Sequence, residues 1–187
     1  YDVLVIGAGP GGYVAAIKAA QLGRSVLAVD AATNPANGQP ALGGTCTNEG
    51  CIPSKALLAA SARYEDAMSG TVAGVTVDPA GVKLDVAAMQ AYRAGCVQQT
   101  NAGIAYLFRK YKVASLCGVA RLMGPAEGGW AVSIKGEGFE TAVVARDVIV
   151  ACGSRARELP GMPFDEKLIL SSAGALTLPE VPGRLGI

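Results

Sequence analysis

Tyr1-Asp2-Val3-Leu4-Val5-Ile6-Gly7-Ala8-Gly9-Pro10-Gly11-Gly12 opens the chain, and this stretch decides the fold. An apolar, β-branched strand over residues 1–6 leads through glycines into an Ala-rich helix, which runs from about Pro10 to Leu22. A second strand follows over residues 25–29. This β-α-β order predicts an α/β fold in which a parallel central sheet is joined by helical crossovers.

The glycines between the first strand and the helix carry the first chemical motif. Gly7, Gly9 and Gly12 form G-x-G-x-x-G directly after a strand and at the opening of a helix. Such a motif uses its first glycine for the tight turn, its second for close approach to a pyrophosphate and its third for helix–strand packing. Pro10 and Gly11 lie at the helix N-terminus, where free N–H groups and the macrodipole favour an anion.

An acidic residue stands where the ribose of a dinucleotide would lie. Asp30 ends the second strand, eighteen residues after Gly12. A carboxylate there accepts hydrogen bonds from both ribose hydroxyls and repels a 2′-phosphate. The alternative is a glycine-rich turn without a ligand. The combination of strand, helix and acid in register favours a dinucleotide site.

The rest of the chain continues the α/β pattern. The predicted elements after the second strand are a surface loop at 31–41, helices at 45–68 and 84–111, and strand-like segments at 113–123, 129–135 and 139–151. The glycine-separated strands predict an antiparallel β-meander inserted into the parallel fold. Residues 178–183 are rich in Pro and Gly and resemble an interdomain linker.

Composition excludes several classes of protein. The 187 residues are 51% hydrophobic and 17% charged with a formal net charge of +1, which favours a globular domain and disfavours a nucleic-acid partner. No apolar run reaches the length that spans a membrane, so we expect no membrane partner. Histidine is absent. This chain therefore supplies no Ser-His-Asp or Cys-His nucleophile system and no His-ligated metal.

Two cysteines form the second chemical motif. Gly43-Gly44-Thr45-Cys46-Thr47-Asn48-Glu49-Gly50-Cys51-Ile52-Pro53-Ser54-Lys55 spaces them as C-x4-C near a helix start. In a regular helix, residues five apart have Cα atoms roughly 8–9 Å apart, whereas a disulfide needs less than about 7 Å. A bridge therefore requires a break, which Gly50 and Pro53 permit, and such a bridge suits redox catalysis. Two packed thiols are the alternative, and a zinc site lacks further ligands at suitable spacing.

These two motifs together resemble the pyridine nucleotide–disulfide oxidoreductases. The likeness runs from the fingerprint at Gly7 through Gly43–Leu58 to Cys152-Gly153-Ser154 and the linker. Within the family, the ending Ile52-Pro53-Ser54-Lys55-Ala56-Leu57-Leu58 is most similar to the dihydrolipoamide dehydrogenases, since glutathione and trypanothione reductases usually carry Lys in place of Ser54.

The resemblance implies a role for each matching residue. Cys51 would lie against the flavin of FAD, Cys46 would exchange with the substrate, and Lys55 would stabilise reduced flavin. The residues implied to contact FAD are Gly7, Gly9, Pro10, Gly11, Gly12, Asp30, Gly44, Thr45, Cys51, Lys55, Ala120, Cys152, Gly153 and Ser154. No metal is implied.

The resemblance also implies the activity and its setting. We expect an enzyme that oxidises dihydrolipoyl groups of 2-oxo acid dehydrogenase or glycine cleavage complexes and reduces NAD⁺. Its partners would be a lipoyl-bearing protein and a second subunit in a homodimer, in bacterial cytoplasm or mitochondrial matrix. Family members are longer, so we expect residues 1–176 to be part of an FAD-binding domain and 177–187 to lead into an NAD domain. The alternatives are a truncated, non-catalytic FAD-binding module, or a mercuric or glutathione reductase.

Overall fold

The computed structural model describes residues 1–34, 38–70 and 74–187. Its strands are β1 (Val3–Ile6), β2 (Val26–Asp30), β3 (Ala114–Cys117), β4 (Val119–Ala126), β5 (Gly129–Gly136), β6 (Phe139–Ala145) and β7 (Asp147–Val150). Its helices are α1 (Pro10–Gln21), α2 (Gly44–Glu49), α3 (Cys51–Ser69), α4 (Val86–Lys110) and α5 (Ser172–Ala175), with a 3₁₀ turn at Pro79–Gly81. The chain divides into two units, residues 1–48 with 99–155 and residues 49–98 with 156–187.

The first unit is built on a four-stranded parallel sheet in the order β3-β2-β1-β7. The two central strands are almost wholly buried, because apolar residues occupy both of their faces, as is usual in parallel sheets. Val5 packs on one face with Ile104 and Phe108 of α4. Leu4 packs on the other face with Val132 and Ile134 of β5. The predicted parallel α/β core is confirmed.

A three-stranded antiparallel sheet, β4-β5-β6, covers one face of the parallel sheet. Its inward side chains include Val132, Ile134 and Ala145, which are fully buried, so this face belongs to the core of the first unit. A bulge between Leu122 and Gly124 shifts the β4–β5 register. The inserted meander predicted from sequence is confirmed.

Two of the predicted strands are wrong, because each of them is two separate strands in the structure. The segment predicted as 113–123 is two strands, because the chain leaves the parallel sheet after Cys117 and enters the meander at Val119. The segment predicted as 139–151 likewise divides between β6 and β7 around Arg146. In each case the apolar pattern continues across the change of sheet, so periodicity alone joins the two strands.

The predicted helices agree more closely with the structure than the predicted strands do. The helix predicted at 84–111 is α4, and the helix predicted at 45–68 is present but interrupted at Gly50, whose φ of −143° and ψ of −103° are not helical. Of the predicted loop at 31–41, residues 35–37 lie outside the described part of the chain. No helix within the described ranges combines the length and the apolarity needed to cross a membrane.

The second unit contains α3, the first half of α4 and the final segment of the chain. The Gln90 side-chain amide donates to the Leu178 carbonyl at 3.0 Å. A turn follows Asp165, whose Oδ1 accepts from the backbone N–H groups of Lys167, Leu168 and Ile169 at 2.8–2.9 Å. These hydrogen bonds hold the pKa of Asp165 below its usual value, and the bond from Ile169 has the largest effect.

The start of the chain is tied to the start of β2 by a small polar cluster. Asp2 Oδ2 accepts from the Ser25 N–H at 2.8 Å and from its hydroxyl at 2.9 Å. The Asp2 N–H in turn donates to Ser25 Oγ at 2.8 Å. The backbone bond from Ser25, followed by its hydroxyl, lowers the pKa of Asp2 below 3.8. The part of the cluster's stabilisation that depends on the carboxylate charge is therefore present only while Asp2 is ionised.

We expect Asp2→Asn to lower the melting temperature near neutral pH. Because the folded-state pKa is depressed, the stabilisation is present above 3.8 and is lost as pH falls through the lower folded-state value. Thermal unfolding of both proteins across this range measures the difference. Glu127→Gln, in the exposed turn between β4 and β5, is the matched control. A difference that persists unchanged in strong acid would contradict the role of the Asp2 charge.

Candidate functional site

The glycine loop joins β1 to α1 and lies at the carboxyl ends of the parallel strands. Gly7 has φ of +98°, and a Cβ there would overlap the carbonyl oxygen of Ala151, which follows β7. A Cβ at Gly12 would overlap the carbonyl oxygen of Gly7. Both positions therefore require glycine because of contacts within the protein, as the motif predicts.

Gly9 differs from these two glycines. It is the N-cap residue of α1, its φ of −69° is open to any residue, and a Cβ there would meet nothing closer than the Gly44 Cα at 3.7 Å. Gly44, with φ of +61°, lies tightly against it, since a Cβ on Gly44 would be 2.6 Å from the Gly9 Cα. Packing leaves a small open space beside Gly9 at the helix N-terminus. That space suits the close approach of an anionic group.

Asp30 ends β2 with its carboxylate beside the glycine loop. Its Oδ2 accepts from the Ala8 N–H at 2.5 Å, and its Oδ1 accepts from the Ala32 N–H at 2.8 Å. The Gly118 N–H donates to the Asp30 backbone carbonyl at 2.9 Å, which ties the β3–β4 junction to the same place. The carboxylate is half-buried and fixed in orientation, and each of its oxygens has further acceptor capacity.

A cleft of about 280 Å³ opens at Asp30. Its lining residues come from the first unit and are Asp30, Ala32, Gln39, Pro40, Leu42, Asn101, Ala105, Ser115, Leu116 and Cys117. The cleft lies outside the carboxyl ends of β2 and β3, where open α/β sheets bind ligands. The residues present are compatible with the dinucleotide that the sequence predicts, while a pyrophosphate at Gly9 and a ribose at Asp30 stay predictions.

The two cysteines of the C-x4-C motif are joined as a disulfide. Cys46 lies within α2 and is half-buried, and Cys51 opens α3 and is exposed. The helical path is broken at Gly50, so the two cysteines belong to different helices, the six-residue α2 and the 19-residue α3, and are not held at the spacing of one regular helix. The predicted break at Gly50 is confirmed, and the arrangement supports two-electron thiol–disulfide exchange.

The remaining candidates lie at two places. Lys55 is exposed on α3, four residues after Cys51, so both side chains lie on the same face of that helix. Cys152, Gly153 and Ser154 follow β7 and are exposed, and the Cys152 Cα lies 3.1 Å from the ideal Cβ position of Gly7. Cys152 is a free thiol.

Thr45 and Ala120 have different surroundings. Thr45 is exposed on α2, directly after Gly44. Ala120 pairs with Ile134 and packs against the core beneath the meander. The preceding strand β3 lines the cleft with Ser115, Leu116 and Cys117. An adenine contact of the backbone at Ala120 stays a prediction. Within the described ranges, no group of three or more Cys, Asp or Glu residues is arranged to hold a metal ion.

Sequence reasoning missed one polar contact. The Asn101 side-chain amide on α4 donates to the Leu42 carbonyl and, at 3.1 Å, to Asn48 Oδ1. A signal for it was present in the sequence, because Asn101, Ile104 and Phe108 lie on one helix face and the last two are core residues. A polar side chain on that face requires a partner.

The sequence profile of a family described as pyridine nucleotide-disulphide oxidoreductase matches residues 1–187. The chain belongs to this family. The resemblance drawn from the glycine and cysteine motifs is thus confirmed. The Cys46–Cys51 disulfide is the part of the chain that corresponds to the disulphide in the family's name.

Curated relatives of this oxidoreductase chain include the dihydrolipoyl dehydrogenases of Cupriavidus necator and Trypanosoma brucei brucei. The first is 46% identical over 191 residues, covering 100% of this chain and 39% of the relative. The second is 45% identical over 186 residues, covering 99% of this chain and 36% of the relative. A mitochondrial dihydrolipoyl dehydrogenase of Pisum sativum is 44% identical over 98% of this chain and 34% of its own length. The chain thus spans less than two fifths of these relatives.

A solved structure shares the fold of this oxidoreductase chain. The crystal structure of LpdA from Mycobacterium tuberculosis superposes with a TM-score of 0.81, covering 97% of this chain and 38% of that one. The two sequences are 22% identical, so the comparison concerns the fold alone. It agrees with the α/β architecture predicted from the sequence.

Proposed function

We propose that the protein carrying this chain is an FAD-dependent dihydrolipoyl dehydrogenase, which oxidises dihydrolipoyl groups and reduces NAD⁺. The observation that carries the proposal is the Cys46–Cys51 disulfide, in a family of disulfide oxidoreductases and following a glycine loop that fits a dinucleotide. The relatives named above are dihydrolipoyl dehydrogenases, which favours a dihydrolipoyl substrate over glutathione or Hg(II).

The glycine loop would hold the pyrophosphate of FAD against α1. The open space at Gly9 supports this placement, since neither backbone conformation nor packing within the protein demands glycine there. Asp30 would accept hydrogen bonds from the adenosine ribose in the adjacent cleft. The other proposed contacts are Pro10, Gly11, Gly44, Thr45, Ala120, Cys152, Gly153 and Ser154. FAD, when bound, supplies a two-electron carrier between the thiol pair and NAD⁺.

The cysteines would carry the substrate half of the reaction. A dihydrolipoyl thiolate attacks Cys46 Sγ, the Cys46–Cys51 bond breaks, and Cys51 leaves as a thiolate. The second substrate thiolate then attacks the substrate sulfur in the mixed disulfide and releases Cys46. The substrate becomes a cyclic disulfide, and the chain holds two reduced cysteines. Lys55, on the same helix face as Cys51, places a positive charge that stabilises negative charge nearby.

The setting of the enzyme follows from the same proposal. Its macromolecular partner would be the lipoyl-bearing protein of a 2-oxo acid dehydrogenase or glycine cleavage complex, and the enzyme would be a homodimer. The compartment would be bacterial cytoplasm or the mitochondrial matrix, since the relatives include bacterial and mitochondrial enzymes. Because the chain supplies no histidine, the acid–base group for thiol exchange would come from elsewhere in the complete protein.

The direct test is an assay of the complete protein. We expect visible flavin absorbance after purification and formation of NADH from NAD⁺ with dihydrolipoamide as the reductant. Parallel assays use NADPH with glutathione disulfide and NADPH with Hg(II). Absence of NADH formation together with turnover of either alternative substrate would replace the proposal with a glutathione or mercuric reductase. Flavin binding without any turnover would favour a binding module.

A further inference from the structure

We propose that Asn101 is a positioning residue for the redox disulfide, holding the segment that carries Cys46 against helix α4. The inference rests on the redox role proposed for Cys46 and Cys51. Asn101 lies 53 residues from Asn48 in the sequence, yet its amide contacts the residues on either side of Cys46. These hydrogen bonds go to Leu42 and Asn48, so Asn101 acts through the backbone that bears Cys46.

Two side-chain amides form a continuous clasp. Asn101 Nδ2 donates to the Leu42 carbonyl and to Asn48 Oδ1. Asn48 Nδ2 donates to the carbonyls of Ala41 at 3.1 Å and Gly44 at 3.0 Å. Both amide groups therefore use both of their N–H donors on the segment 41–48. This segment includes two consecutive glycines, so its backbone would otherwise be among the least restricted in the chain.

The clasp is anchored in the core. Asn101 lies on the face of α4 that carries Ile104 and Phe108, which are 4% and 3% exposed in the cluster beneath the parallel sheet. The same side chain lines the cleft at Asp30. Asn101 thus connects a rigid core element to the backbone on both sides of Cys46.

The clasp has a consequence for the disulfide equilibrium. Closing a disulfide costs the conformational entropy of the two thiol-bearing segments, and a segment that is already ordered loses less on closure. Asn101 therefore favours the disulfide over the dithiol. Without it, the bridge should be reduced more easily by an external thiol.

The measurement is the equilibrium of the 187-residue protein with glutathione: protein disulfide plus two GSH gives protein dithiol plus GSSG. Alkylation after an acid quench and mass analysis give the two populations. We expect Asn101→Ala to shift the equilibrium toward the dithiol by about tenfold, equivalent to about 30 mV for a two-electron couple. Asn101→Thr, which keeps one donor and is less disruptive, should give a smaller shift in the same direction.

Controls separate positioning from general destabilisation. Gln99→Ala, at an exposed position on the same helix, should leave the equilibrium unchanged. Asn48→Ala should also shift the equilibrium toward the dithiol. The double variant Asn48→Ala/Asn101→Ala should shift it by less than the sum of the two single shifts, because both residues belong to one clasp. A lowered melting temperature with an unchanged disulfide equilibrium in both Asn101 variants would overturn the inference and leave the proposed function standing. A wild-type disulfide that does not exchange with glutathione would also overturn the inference, whereas the proposed function is overturned only by the assay of the complete protein.

Discussion

Replacing Cys46 or Cys51 with serine should abolish NADH formation from dihydrolipoamide in the complete enzyme. Each substitution removes one sulfur of the bridge, so the substrate dithiol has no disulfide to reduce. We expect kcat to fall on the order of a thousandfold or more, as for removal of a nucleophile that acts as part of a unit. Steady-state assays at saturating dihydrolipoamide and NAD⁺ measure the loss, and flavin content after purification shows that the cofactor is retained.

A matched thiol provides the control. Cys96 lies on α4, outside the bridge and outside the lining of the cleft at Asp30, and Cys96→Ser should retain turnover if only the bridged pair carries electrons. The two bridge variants also test the assigned roles. In Cys51→Ser, the Cys46 thiolate should attack added glutathione disulfide, release one glutathione thiolate and stay trapped as a mixed disulfide with the other glutathione, visible as added mass. Turnover within tenfold of wild type in either bridge variant would show that this disulfide is not the redox centre.

Exposure of the two cysteines bears on which of them meets the substrate. Cys51 is exposed and Cys46 is half-buried in the chain alone. Exposure alone would favour Cys51 as the exchanging thiol, whereas the proposed roles make Cys46 the exchanging thiol and place a flavin over Cys51. Alkylation of the reduced protein with and without FAD distinguishes these cases. Protection of Cys51 by FAD, with Cys46 still reactive, is the expected result.

The parts of the fold that could be predicted from sequence are those set by local patterns. The β1-α1-β2 unit follows from an apolar strand, a glycine turn and an Ala-rich helix, all within the first thirty residues. The divisions at Gly118 and Arg146 were missed because strand-forming residues continue through both. At Gly118 the chain passes so close to β5 that a Cβ would be 2.7 Å from the Lys135 carbonyl oxygen. That crowding depends on tertiary packing, which periodicity does not describe.

The candidate site shows the same division. The glycine loop, Asp30 and the cysteine pair are recognisable because each motif is compact in sequence and its spacing has a chemical reason. The clasp between Asn48 and Asn101 joins residues 53 positions apart and depends on how α4 packs. Its one local sign is an amide side chain on the buried face of a helix. That sign indicates that a partner exists without indicating which one.

Gly12→Ala should lower the stability of the fold, whereas Gly9→Ala should lower the affinity for FAD, although both change a glycine of the same motif. A Cβ at buried Gly12 would overlap the Gly7 carbonyl oxygen, and backbone cannot move aside as a flexible side chain can. We expect a loss of about 2–3 kcal/mol from overpacking, which lowers the melting temperature by roughly 5–10 °C for a chain of this size. Thermal unfolding without added ligand measures this effect.

Gly9→Ala should instead leave the fold intact and weaken the binding of FAD. Its φ of −69° accepts alanine, and the nearest atom to the new Cβ is 3.7 Å away, so the melting temperature should change little. The methyl group would occupy the space into which a pyrophosphate fits, so we expect FAD affinity to fall at least about tenfold, or about 1.4 kcal/mol. Titration of the apoprotein with FAD, followed by flavin fluorescence, measures the change.

A third glycine makes the comparison specific. Gly95 is exposed on α4 with open space around its Cβ position, and Gly95→Ala should raise the melting temperature slightly without changing FAD affinity. If Gly9→Ala binds FAD as tightly as the wild type, the pyrophosphate does not approach Gly9, and the proposed placement at the α1 N-terminus is wrong. If Gly9→Ala is as unstable as Gly12→Ala, its weakened binding reflects unfolding, and the space beside Gly9 has no separate role in ligand recognition.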